Sequence, residues 1–102
     1  MKCLSIVIHE TARESLGDQL AHDPAVLHWQ VAPVQGRYAG GAQNPFETAA
    51  DRVAGNVPRV RFDILLEASH VADVVGRVRM CRTCVKGRGL WWVTDLDDHG
   101  EL

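Results

Sequence analysis

Apolar and polar residues alternate with a period of two over several short stretches of this chain and recur at helical spacing over two others. Leu4, Ile6 and Ile8 fall on one side of residues 2–8, and Cys3, Ser5 and Val7 on the other, which predicts a first strand. Thr11 with Glu14 three residues later reads as a capping box, and Ala12, Leu16 and Leu20 follow at helical spacing. A helix over about 11–22 is expected, Gly17 notwithstanding. Asp23 and Pro24 break it, and Leu27, Trp29 and Val31 then alternate with His28, Gln30 and Ala32 in a second strand.

The clearest alternation is Val60, Phe62, Ile64 and Leu66 against Arg59, Arg61, Asp63 and Leu65, the third strand. Ser69 is placed to cap a second helix, with Asp73 near its positive end and Val71, Val74, Val75 and Val78 as its apolar stripe. Lys86, Gly87 and Gly89 close that helix down, Leu90 to Val93 reads as a last short strand, and Asp95 to Leu102 as an acidic tail. Two strand-helix-strand halves of this kind predict an α+β, ferredoxin-like domain, an antiparallel sheet with both helices on one face.

Between the second and third strands lies a Gly-rich, polar insert, about residues 35–56. Connections beyond about 12–15 residues are uncommon in compact domains and tend to carry function. Within it Asn44, Pro45, Glu47 and Gly55 are spaced as the start and stop signals of a short helix near 45–54.

Composition narrows the classes. The 102 residues, 46% hydrophobic and 24% charged, suit one globular domain. No apolar run approaches the roughly 20 residues that span a bilayer, and Met1 to Leu4 run straight into a strand, unlike a secretion signal. A cytoplasmic protein without direct membrane insertion is expected. A net charge of −2 disfavours nucleic acid as a partner, because no basic excess is available to neutralise phosphates. The 3 cysteines cannot all pair within one chain, and a reducing cytosol would keep any disulfide transient.

If the helices cover the side that carries Leu4, Ile6, Trp29, Val31, Phe62 and Ile64, the opposite side presents Cys3, Ser5, Val7, His28, Gln30, Arg61, Asp63 and Leu65. Trp91 and Trp92 are consecutive in a strand, so one of them joins that open side. Such a surface is removed from water most simply by self-association, which predicts a homo-oligomer.

Several residues bear chemistry. Cys81 and Cys84 have the two-residue spacing of metal and redox sites, which His99, His70 or a neighbouring subunit would have to complete; alternatively Cys81 extends the valine stripe and Cys84 packs under the helix end. Asp95, Asp97, Asp98, His99 and Glu101 are either a cation site or a solvated tail. Lys86, Gly87, Arg88 and Gly89 are either an anion-cradling turn or a plain helix stop. In the insert, Arg37, Tyr38, Phe46 and Arg52 are candidates for contacting an anionic ligand or a partner surface. His28, Arg61 and Asp63 share the open side, as acid, anchor and base or as polar groups satisfied across strands.

Gln35, Gly36, Arg37 at the start of the insert, Val57 to Asp63 at its exit, and Lys86 to Gly89 before the last strand resemble the PII-like signalling proteins over nearly the whole chain. The ending, Trp91, Trp92, Val93 through Leu102, is most similar to a small uncharacterised PII-like group often encoded beside heavy-metal efflux pumps. The resemblance implies a non-enzymatic homotrimer that binds a small effector between subunits at Gly36, Arg37, Lys86, Gly87, Arg88 and Gly89. It further implies action on a partner, an efflux transporter, through the long loop. Nucleotide-binding members carry a Lys where this chain has Leu90, and arginines where it has Asp97, Asp98 and His99, so nucleotide, other anion and metal ion all remain open as effector. The alternative is a small dimeric α+β barrel enzyme with a pocket over the sheet, using His28 and Asp63 on the inner face. A purely structural interaction module is a third possibility.

Overall fold

The computed structural model describes residues 1–35, 58–85 and 89–102. The expected short helix near 45–54 and most of the insert lie outside the described residues. Strand β1 (Lys2–His9) leads through a 3-10 turn (Glu10–Ala12) into α1 (Arg13–Ala21), followed by β2 (His28–Val34) and β3 (Arg59–Leu66). A second 3-10 turn (Ala68–His70) opens α2 (Val71–Met80), and β4 is Leu90–Asp95. The four strands form one antiparallel sheet in the order β2-β3-β1-β4, the α+β arrangement that the patterning predicts.

The alternation of β1 and β3 decides which side is core. Leu4 stands opposite Ile64 and Ile6 opposite Phe62, and these side chains meet Leu16 and Leu20 of α1 and Val74, Val75 and Val78 of α2 in one cluster. Full burial of each Leu, Ile or Phe contributes about 1.5–3 kcal/mol, and Leu4, Ile8, Leu16, Leu20, Phe62, Ile64 and Leu66 are all less than 2% exposed. Trp29 of β2 packs its ring on Phe62 at a centroid distance of 5.6 Å. Arg77 of α2 donates two hydrogen bonds, of 2.8 and 3.0 Å, to the buried carboxylate of Asp23. This pair ties α2 to the turn that ends α1.

Both helix entrances differ from the sequence reading. Thr11 lies inside a 3-10 turn and caps nothing; its backbone N–H donates instead to the side chain of His9, at 3.2 Å. Neither does a side chain cap α1 at Ala12 or α2 at His70, so Ser69 is a turn residue. The second strand also runs further than expected, through Pro33 to Val34, which an edge strand tolerates because the missing N–H can face outward. The last strand extends to Asp95, where the carboxylate pairs with Lys2, so the acidic tail begins at Leu96.

Among the described residues no helix is long and apolar enough to cross a membrane.

Candidate functional site

The register lays the open side of the sheet out in rows. Gln30, Asp63, Ser5 and Trp92 form one; Ala32, Arg61, Val7 and Leu90 the next; His28, Leu65, Cys3 and Thr94 a third. Trp92 is therefore the tryptophan of the open side, while Trp91 turns to the helix side, where the Arg79 guanidinium lies 5.9 Å from its ring centre. Ser5 and Val7 on the central strand are buried within the single chain, but Leu90 and Trp92 are 38% and 44% exposed on the edge strand β4.

Polar groups in the middle of this surface are mutually satisfied. Ser5 Oγ donates to Asp63 Oδ1 at 2.8 Å, and Arg61 Nε donates to Asp63 Oδ2 at 3.3 Å. The Asp63 carboxylate is thus already engaged on both oxygens, which suits a structural polar group better than a base awaiting a proton. His28, on the outer strand β2, stands across from Leu65 and is exposed.

Antiparallel pairing brings three chain ends to one rim of the sheet. The last residue of β2, Val34, pairs with the first of β3, Arg59, and Arg59 pairs with His9 at the end of β1; β4 begins alongside, with Leu90 opposite Val7. The two ends of the insert and the start of β4 therefore share a rim. Gly89 passes so close to β1 that an added Cβ would sit 3.1 Å from the Val7 carbonyl oxygen, so only glycine fits there without displacement. Pro58, just before β3, accepts a hydrogen bond from the Glu10 backbone at 3.1 Å and closes the rim from below.

Arg59 is buried at this rim, and burial pulls its pKa below the ordinary value without making it neutral. Sequence reading missed it as a site residue. The signal was there, since Arg59 follows the insert directly and shares one parity of the third strand with Arg61 and Asp63, but only the register places it opposite His9 at the end of β1.

Of the residues singled out from sequence, Gly89 is at this rim, while Gly36, Arg37, Tyr38, Phe46, Arg52, Lys86, Gly87 and Arg88 lie outside the described residues. Cys81 and Cys84 are joined to each other in a disulfide, with Cys84 fully buried in the core cluster and Cys81 packed against it. His99 is exposed in the tail, where its backbone N–H donates to Asp98 at 2.9 Å. Among the described residues no group of three or more His, Cys, Asp or Glu side chains is arranged to hold a metal ion. Between α2 and β4 an apolar cavity of about 240 Å³ is walled by Ile6, Val78, Val85, Gly89 and Trp91, with Arg79 among its lining residues.

Comparison with known proteins gives a family and a fold. The family model described as "Protein of unknown function (DUF3240)" matches residues 1–102. The crystal structure of a DUF3240 family protein from Shewanella baltica OS155 is similar with a TM-score of 0.76 at 13% identity, covering 99% of this chain and 94% of that one. At that identity the likeness speaks for the fold alone. No curated protein matches the chain.

Proposed function

This chain belongs to the DUF3240 family, whose function is unknown, and we propose that it is a PII-like, non-enzymatic regulator acting in the cytoplasm as a homotrimer. It binds a small effector in clefts between subunits and passes the signal to a partner through the 35–56 insert. The partner suggested by the sequence resemblance is a membrane transporter of the heavy-metal efflux class.

The observation that carries this reading is the exposed apolar strip of β4 on the open side, Leu90 and Trp92, beside a polar centre already satisfied within the chain. A tryptophan carries about 150–250 Å² of surface, and a sheet face with its polar groups closed off is suited to packing against copies of itself. Assembly through that face brings the rim of one subunit against its neighbour, forming a cleft at Arg59 and Gly89. The resemblance to nucleotide-binding PII-like proteins favours an anionic effector there, a nucleotide included, with a metal ion as the remaining class. An effector that binds one arrangement of the insert better than another shifts the population of that arrangement, which is all that signalling requires.

The competing dimeric enzyme needs an unengaged acid or base over the sheet, and the two hydrogen bonds on Asp63 weigh against it. Hydrogen exchange across residues 35–56, with nucleotides and with divalent or soft metal ions in turn, tests the proposal. Protection of the insert by at least one of these supports it, and unchanged exchange with all of them counts against it.

A further inference from the structure

Cys81 and Cys84 close a short ring at the C-terminal end of α2, with their Cα atoms 5.3 Å apart. The stabilisation a disulfide gives through chain entropy grows with the loop it closes, and this loop is among the shortest possible. The same turn is already held by backbone bonds, Cys81 N–H to Val78 at 3.1 Å and Cys84 N–H to Cys81 at 3.0 Å. The bond therefore stabilises the fold less than one that closes a long loop, which leaves room for another role. Nor is the pair placed as in a thiol oxidoreductase. Reactive cysteines are activated at the positive N-terminal end of a helix, whereas these lie at the opposite end, where the dipole disfavours thiolate.

The two sulfurs differ in access. Cys84 is fully buried in the core, while Cys81 is partly exposed, with the Thr83 hydroxyl 3.6 Å from its sulfur. Two thiols cannot remain at bonding distance, so reduction must move one of them. Cys84 is pinned by core packing, which leaves Cys81, the cap residue of α2, to swing outward. Val78 and Val85 flank the pair in sequence and both wall the cavity between α2 and β4, whose far side is Trp91.

We propose that Cys81 and Cys84 form a reversible thiol-disulfide switch whose oxidised state holds the C-terminal end of α2, where the Cys81 N–H donates to the Val78 carbonyl, in place as a wall of the cavity between α2 and β4. The reductant is a dithiol, small or protein-borne. Its first thiolate attacks the accessible Cys81 sulfur, the bond to Cys84 breaks, and Cys84 takes up a proton. The second thiol of the reductant then displaces Cys81 from the mixed disulfide, leaving two cysteine thiols and one oxidised dithiol. This role holds whatever effector the rim binds.

The test starts from full-length protein oxidised with glutathione disulfide, then treated with dithiothreitol without denaturant. After the dithiothreitol is removed, maleimide labelling in denaturant counts thiols, and amide NMR spectra of the native protein report on the cavity wall. Two new labelled thiols, restored to a disulfide on reoxidation, with shifts at Val78, Gly89 and Trp91 larger than those in β2, are the expected result. A Cys81→Ser variant, altered at the less buried position, gives the reduced-type spectrum and no response to dithiothreitol. A pair that never forms the bond, resists reduction until the protein unfolds, or is reduced with the Val78 and Trp91 amides unmoved overturns the proposal. So does a Cys81→Ser spectrum identical to that of the oxidised protein.

Discussion

Arg77 grips Asp23 through two nearly parallel hydrogen bonds that join positions far apart in sequence, with the carboxylate side chain 2% exposed and the guanidinium 44% exposed. Burial alone would raise the Asp23 pKa. The Arg77 hydrogen bonds, the Ala25 N–H and the charges of Arg77 and His70 outweigh it and hold the group below its ordinary value of 3.8. A carboxylate with a depressed folded-state pKa stabilises the fold fully above its unfolded value and loses that contribution as pH falls through the folded one. Urea midpoints are therefore expected to be flat in this contribution above about pH 5 and to fall in more acidic buffer. An Asp23→Asn variant is expected to be less stable at neutral pH and to show a shallower acid loss. Parallel pH profiles for the two proteins would show that the pair does not act this way.

Two glycines predict opposite outcomes. Gly76 lies inside α2 with nothing within 4 Å of the position an added Cβ would take, so Gly76→Ala is expected to stabilise the protein by about 0.5–1 kcal/mol. At Gly89 the same change meets the Val7 carbonyl oxygen at 3.1 Å and Ile8 at 3.2 Å and is expected to cost about 1–3 kcal/mol. Denaturant unfolding of the two variants checks both signs.

At the entrance to α1, the side chain of His9 takes the backbone N–H of Thr11. His9→Ala is expected to cost about 0.5–2 kcal/mol, the usual effect of losing a cap. Thr11→Ala, which removes the residue that sequence pattern would choose as the cap, is expected to cost less. Thermal melts of the two variants rank them.

The helix entrances show where sequence pattern stops being sufficient. Periodicity placed Leu16, Leu20, Val74 and Val78 in the core because burial acts on every third or fourth residue of a helix. It did not find the 3-10 turns ahead of α1 and α2, because a capping box depends on the path by which the preceding strand delivers the chain, and His9 ends β1 beside Thr11. The sides of β1 and β3 were legible from alternation alone. That Ser5 and Asp63 close on each other, or that Arg59 reaches the rim, depends on cross-strand register, which no local pattern encodes. The cysteine spacing suggested metal, redox and packing roles alike; only the meeting of the two sulfurs distinguishes a disulfide from a half-filled metal shell.

Phe62 is fully buried under α1 and against Trp29, so Phe62→Ala is expected to cost about 3–5 kcal/mol, a large share of the stability of a domain this size. A small shift in the urea midpoint would mean that the helices do not cover the side of the sheet assigned to them.

Self-association through the open sheet side is tested most directly by the mass in solution, measured by light scattering after size exclusion for the wild type and a Trp92→Glu variant. Trp92 is 44% exposed in the single chain, so its replacement leaves the fold intact while placing a charge on the contact surface. The account predicts three subunits for the wild type and dissociation in the variant at micromolar concentration. A wild-type monomer, or a variant that assembles as well as the wild type, would contradict it.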